Sequence, residues 1–279
     1  MRILLSNDDG ILAAGLAALH DAMCDLGETT VVAPSTPQSA AGHSITLKTP
    51  LVVHRVQVND STTPFWGNSV DGRPADCVRL AVRKLLAQWP DLVLSGINAG
   101  ANVGVNVFYS GTVAAAAEAA MLGIPAVAFS AGYSQSPDEI DYARAGTICR
   151  WVLDRLLADG LRRGDLINVN IPSTRPGWPV GVRVVPQSTS ELEDVYHQAL
   201  DSMGRDSYRL GDSYSFARHV ENTDVACLAD GYVTITPLHV DMTLYSRMNQ
   251  LAETDWPAPP AGDGAGPPGP GGAGECSHG

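Results

Sequence analysis

Positive charge is scarce in this chain. Lys and Arg number 18 against 30 Asp and Glu, a formal net charge of −12 over 279 residues. A protein so poor in basic side chains has no face to meet a phosphodiester backbone, which argues against a nucleic-acid binder. Small phosphate ligands remain open, because backbone amides or a metal ion supply positive charge locally. Long apolar runs are missing too. None reaches the roughly 18 residues of a membrane span, so no membrane partner is expected. The N-terminal stretch MRILLSNDDG offers only three apolar residues in a row, too few for a signal-peptide core. Cysteine is sparse and odd in number, five at wide spacings with no C-x-x-C. That predicts thiols used as small core residues in a reducing, cytoplasmic setting. Several signatures are absent as well. There is no G-x-x-x-x-G-K-[ST], no G-x-G-x-x-G after the first strand and no G-x-S-x-G. These absences leave a P-loop enzyme, a dinucleotide fold and a nucleophile elbow unsupported. No H-x-x-x-H pairing supports a zinc site.

What is present is a hydrophobic fraction of 44%, enough for a sizeable core, arranged in alternation. Residues 2–6 read as a short apolar strand. Leu12, Leu16, Leu19, Met23 and Leu26 then recur at helical spacing up to Gly27. Residues 30–33 read as a strand stopped by Pro34. Pro74 opens a helix expected to bury Val78, Ala81, Val82, Leu85 and Leu86. Further strands are expected at 91–95, 124–129 and 166–171, with helices at 112–122 and 142–158. Strands that are apolar without alternation, separated by helices, imply a parallel sheet covered on both faces. After residue 172 the pattern changes. Residues 180–186 and 232–236 read as strands flanking a long polar stretch, 187–223. Its length marks a functional loop or an arm reaching a partner subunit. From 257 to 279, 14 of 23 residues are Gly or Pro, which predicts a disordered tail.

Three polar clusters fall at the carboxyl ends of strands, where ligands bind in open parallel sheets. They are Ser6-Asn7-Asp8-Asp9-Gly10, the stretch STPQSAAGHS at 35–44, and SGINAGANVG at 95–104. Asp8 and Asp9 repel each other unless something positive lies beside them. A hard divalent cation on oxygen ligands is the economical answer, with Ser39 and Asn98 as candidate neutral donors. The alternative is that the pair caps a helix starting near Ile11. Ser110-Gly111-Thr112 precedes a helix of almost pure Ala. It reads either as an anion site at a helix N-terminus or as an ordinary cap. Asn98, Asn102 and Asn106 alternate with Gly96, Gly100 and Gly104, a ligand-cradling loop or simple turn punctuation. His43 faces the crevice or the solvent.

The motifs together resemble the SurE-type 5'/3'-nucleotidases (survival protein SurE). The matching stretches include MRILLSNDDG at 1–10, PADCV at 74–78, DLVLSGINAG at 91–100, YSGTVAAA at 109–116 and DGYVTITPLHVDMT at 230–243. The resemblance implies an α/β fold: a Rossmann-like three-layer core with a mostly parallel sheet and a β-rich extension. It implies a single domain over 1–256, with the β-rich arm at 180–236. It implies a metal-dependent phosphomonoesterase acting on nucleoside 5'- and possibly 3'-monophosphates. One Mg or Mn ion per subunit would be held by Asp8, Asp9, Ser39 and Asn98, with Asp8 and Asp9 catalytic. Asn98, Asn102, Ser110, Gly111 and Thr112 would lie along the phosphate. A homodimer or homotetramer is implied, with the arm crossing between subunits. Two departures stand out: the second loop reads Thr36-Pro37-Gln38 with no Arg, and Gly72-Arg73-Pro74 stands where Gly-Thr-Pro is common. They keep open a phosphatase on another phosphoester or polyphosphate, or a non-catalytic nucleotide-binding protein.

Overall fold

The structure is a computed structural model describing residues 1–59, 61–173, 175–211, 215–257 and 259. Strand β1 (Arg2–Ser6) buries Ile3 and Leu5 on one face and Leu4 on the other. A strand apolar on both sides belongs inside a sheet covered on both sides. Here β1 lies between β2 (Glu28–Pro34) and β5 (Leu92–Ala99), parallel to both. Beyond β2 come β4 (Phe65–Val70) and the edge strand β3 (Val53–Val58). Beyond β5 come β6 (Ala126–Ala131), β7 (Leu166–Ile171), β13 (Tyr232–Leu238) and β8 (Gly181–Val184). The nine-stranded order is β3-β4-β2-β1-β5-β6-β7-β13-β8. Only the β3–β4 and β7–β13 pairings are antiparallel.

Helices cover both faces. On one side α1 (Ala14–Met23) and α4 (Tyr142–Asp159) pack with Ile3, Leu5, Leu94 and Phe129. On the other, α2 (Pro74–Leu80) and α3 (Gly111–Met121) pack with Leu4, Val32, Val93 and Ala126. The Ala-rich face of α3 lets it lie close to α2 and to the sheet. The three-layer α/β core read from the sequence is therefore present. Its element ends differ in detail. Helix α1 starts at Ala14, leaving Leu12 62% exposed and outside it. The helix from Pro74 widens into a π turn over Ala81–Leu85, and Leu85 stands exposed. Strands β3 and β4 carry mixed burial patterns and left no clear periodic trace.

Strands β8 and β13 extend the central sheet. The extension proper therefore lies between them, in two small antiparallel pairs. One joins β10 (Tyr196–Leu200) to β11 (Asp206–Leu210), the other β9 (Leu192–Glu193) to β12 (Ser215–Phe216). Helix α5 (Asp224–Ala229) leads back into β13. Met1–Val240 forms one compact unit. Asp241–Gly279 forms a second, in which α6 (Tyr245–Ala252) is exposed along its length. The Gly- and Pro-rich tail, apart from residues 257 and 259, falls outside the described residues. Among the described residues no helix is long and apolar enough to cross a membrane.

Candidate active site

The carboxyl ends of β1, β2 and β5 bring the three sequence clusters to one cleft of about 850 Å³. Its lining includes Asp8, Asp9, Ser39, Asn98, Asn102 and Ser110. Among the described residues no Lys, Arg or His lines it.

Each donor is aimed by a local feature. Asp8 and Asp9 follow β1 in a tight turn, closed by Asn7 Oδ1 accepting from Gly10 N (3.2 Å) and Asn7 Nδ2 donating to Gly10 O (2.9 Å). Neither carboxylate caps α1, whose N-cap is Ala13 with no side-chain bond. The capping alternative for the pair is thereby removed. Gly96, at φ +135°, lies where a Cβ would sit 2.3 Å from the Phe129 carbonyl oxygen, so only glycine fits. The β5–β6 register shifts between Ser95 and Asn98, an irregularity of the kind that re-aims a side chain at a strand end. Asn98 Nδ2 donates to Gly100 O (2.7 Å), leaving Oδ1 as the available acceptor. Ser39 lies in the exposed turn after β2, and Gln38 N anchors that turn to Asp8 O (2.8 Å).

The electrostatics are one-sided. Asp8 is 6% exposed, and burial pushes its carboxyl up, opposed by hydrogen bonds from the Thr112 side chain and first-turn backbone of α3. Burial, and then the charge of Asp8, push Asp9 up to about 6, and Ala99 N donates to it at 3.2 Å in partial compensation. Two carboxylates whose charge burial disfavours, with no basic neighbour among the described residues of the cleft, fit a hard divalent cation on oxygen donors. The donor set of two Asp, one Ser hydroxyl and one Asn carbonyl is of that kind. Among the described residues no cluster of three or more His, Cys, Asp and Glu competes with it.

The start of α3 carries the cap that its sequence offered. Ser110 Oγ accepts from Val113 N (3.0 Å), a regular N-cap that keeps the hydroxyl proton free. Thr112 Oγ1 donates to Asp8 Oδ1, so this helix end addresses Asp8 directly. Gly111 packs against Asp8, where a Cβ would lie 2.7 Å from the Asp8 Cβ. Asn102 lines the cleft but is also fastened to the sheet: its N–H donates to Asn170 Oδ1 (2.7 Å) and its Nδ2 to Ser130 Oγ (2.8 Å). Its carbonyl accepts from Asn168 Nδ2 (2.8 Å). His43 does not line the cleft. Its Nε2 meets buried Glu118 at 3.1 Å, tying the loop after β2 to α3.

The model of the family described as "Survival protein SurE" matches residues 3–194. The chain belongs to the SurE family. It is 42% identical over 260 residues to "5'-nucleotidase SurE" of Rhodopirellula baltica, covering 92% of this chain and 98% of the relative. It is 41% identical to the protein of the same name from Syntrophobacter fumaroxidans, covering 91% and 99%. The crystal structure of the SurE protein from Aquifex aeolicus matches with TM-score 0.76 at 37% identity, over 90% of this chain and 98% of that one. In this SurE chain the two departures from the common pattern touch each other: Arg73 Nη1 donates to Gln38 Oε1. A basic side chain thus stands beside the second loop, supplied by the start of α2 rather than by the loop.

Sequence reasoning missed the far side of the cleft. Tyr133, Trp178, Phe216, Val225 and Leu228 come from four separate segments with no shared motif. It missed Asn168 and Asn170 too, although two polar residues in the otherwise apolar LINVNI strand were a visible signal.

Proposed function

We propose that this chain is a metal-dependent phosphomonoesterase that hydrolyses nucleoside 5'-monophosphates, and 3'-monophosphates as well, to nucleoside and phosphate. The observation that carries the reading is a cleft with one buried and one half-buried carboxylate and, among the described residues, no basic side chain. Such a cleft repels a phosphate until a cation is bound. The relatives' name, 5'-nucleotidase, supports the substrate class.

In this reading Asp8, Asp9, Ser39 and Asn98 hold one Mg or Mn ion per subunit. When bound, such an ion neutralises phosphate charge and lowers the pKa of bound water. Ser110 offers its free O–H to a phosphate oxygen, Asn98 and Asn102 border the same space, and Gly111 and Thr112 lie behind Asp8 and close to that phosphate. Preorganised donors of this kind favour the charge of a transferring phosphoryl group. Thr112 acts through Asp8: its hydroxyl holds one carboxylate oxygen and so fixes the side chain at the cleft wall. Asp8 then handles a proton or positions the nucleophile. The setting proposed is cytoplasmic. The assembly proposed is a homodimer or homotetramer, supported by the exposed apolar side chains Tyr196, Leu200, Met203 and Tyr208 on the β10–β11 hairpin.

The test is Asp8→Asn and Asp9→Asn, assayed on AMP and an aryl phosphate with Mn²⁺, Mg²⁺ or chelator. Each substitution, and chelation of the wild type, should lower turnover by about 100-fold or more, the scale of losing a catalytic group. Wild-type turnover in either variant would refute the assignment.

A further inference from the structure

The cleft has two unlike ends. Over β2, β1 and β5 stand the oxygen donors. Beyond them the lining is richer in apolar side chains, through Val103, Tyr133, Trp178, Phe216, Val225 and Leu228, with Ser134, Gln135 and Ser173 among them. A metal and a phosphate need only the first end. The second is a concave apolar surface of the kind that takes the organic part of a small ligand.

The three aromatic rings there differ in what they leave free. Trp178 is engaged. The Arg175 guanidinium lies 3.6 Å from its ring centroid, and Gly231 comes so close that a Cβ would fall 2.5 Å from Cε2. Phe216 is wedged against Gly104 and Val225. Gly104, at φ +56°, could carry no side chain without meeting Phe216 Cε1 at 2.7 Å. Tyr133 is different. It is 41% exposed, and its hydroxyl has no hydrogen-bond partner among the described residues. It follows β6 and stands beside Gly100, where a Cβ would rest 3.7 Å from its Cε1. Gly100 is the residue whose carbonyl accepts from Asn98. Tyr133 therefore stands beside the loop that aims Asn98, between the oxygen donors and the apolar side chains.

We propose that Tyr133 is the stacking platform for the base of a nucleoside monophosphate, with Phe216, Val225 and Leu228 as the apolar wall beyond it. The proposal rests on the nucleotidase reading and deepens it. Every base has a π-face, so a platform of this type accepts all of them and favours the larger purines. Among the described residues no charged side chain lines this half of the cleft, while Ser134 and Gln135 bring polar groups beside Tyr133. Sharp discrimination comes from polar groups built to pair with a base edge. The stack by itself therefore sets a modest preference of AMP over CMP.

The experiment compares wild type, Tyr133→Ala and Tyr133→Phe on AMP, CMP and ribose 5-phosphate, which has no base. The kcat/KM ratio of AMP to ribose 5-phosphate should fall about tenfold in Tyr133→Ala, through KM, the scale of one base–aromatic stack. Tyr133→Phe should retain the wild-type ratio. An unchanged ratio in Tyr133→Ala, or an equal loss in Tyr133→Phe, would overturn the proposal. Calorimetric titration with adenosine gives a readout independent of turnover. If wild type hydrolyses none of the three esters, the nucleotidase reading fails, and adenosine decides the subsite alone. Binding weakened about tenfold in Tyr133→Ala upholds it, and equal binding in both proteins sinks it.

Discussion

Asp9 shows how a single carboxyl couples stability to chemistry. Its folded-state value of about 6 lies above the ordinary 3.8 because burial and Asp8 disfavour its charge. The metal-free folded protein therefore holds this proton more tightly than the unfolded chain does. The sign follows: between the two values stability falls as pH rises, and the full penalty is present above about 6. Asp9→Asn removes that penalty along with the activity. In chelator at pH 7.5 the variant should melt several degrees above wild type, an effect of about 1–3 kcal/mol. The advantage should vanish near pH 4. A variant that melts below wild type at pH 7.5 would contradict this account. Added Mn²⁺ should reverse the order at pH 7.5, because it binds the folded wild type and not the unfolded chain. Of these facts, the Asp8–Asp9 doublet was legible in the sequence, and so was the repulsion within it. The value of about 6 was not, because it arises from burial, which depends on what packs around the turn.

At the scale of elements, the loop after β5 is held from below by β6 and β7. Asn102 exchanges hydrogen bonds with Asn168, Asn170 and Ser130, all of them buried. Asn170→Ala leaves the Asn102 N–H without a partner in a dry place. That should cost about 1–3 kcal/mol, seen as a lowered melting temperature. Since the same loop carries Asn98, Mn²⁺ affinity should weaken too. An Asn170→Ala protein with full metal affinity would show that the loop is held by other means. Similarly, Glu118→Ala releases His43 and the loop that carries Ser39. Its expected signature is weaker metal binding with the fold retained, read by metal titration of the intact variant. The polar pair in LINVNI was readable, but its purpose was not. Nothing in a strand names the loop, 66 or 68 residues away, that it will hold.

For the whole molecule, the sheet order separates the two ends of the cleft. Strands β2, β1 and β5 gather the oxygen donors, and the segments after β6, before β8, in β12 and in α5 gather most of the apolar side chains. The β10–β11 hairpin projects apolar side chains, with Leu200 at 69% and Met203 at 68% exposed. Exposed apolar clusters of this kind mark interaction sites. The protein should elute from a sizing column as a dimer or larger, and Tyr196→Ser with Leu200→Ser should shift it toward monomer. A wild-type monomer at micromolar concentration would rule the hairpin out as a subunit contact.

Local chemistry settled a good deal in advance. Apolar runs too short to span a membrane, alternating with amphipathic helices, specify a sheet covered on both faces. The order of chain segments puts the Asp, Ser and Asn clusters at one edge of it. Those are properties of neighbours in sequence, since hydrophobic period and turn chemistry act over a few residues. Tertiary structure decided the rest. It turned Thr112 onto Asp8, joined Arg73 to Gln38, and set Tyr133 between the oxygen donors and the apolar wall. Each of these is a contact between residues far apart in the chain, and only the packing of the sheet against its helices brings them together.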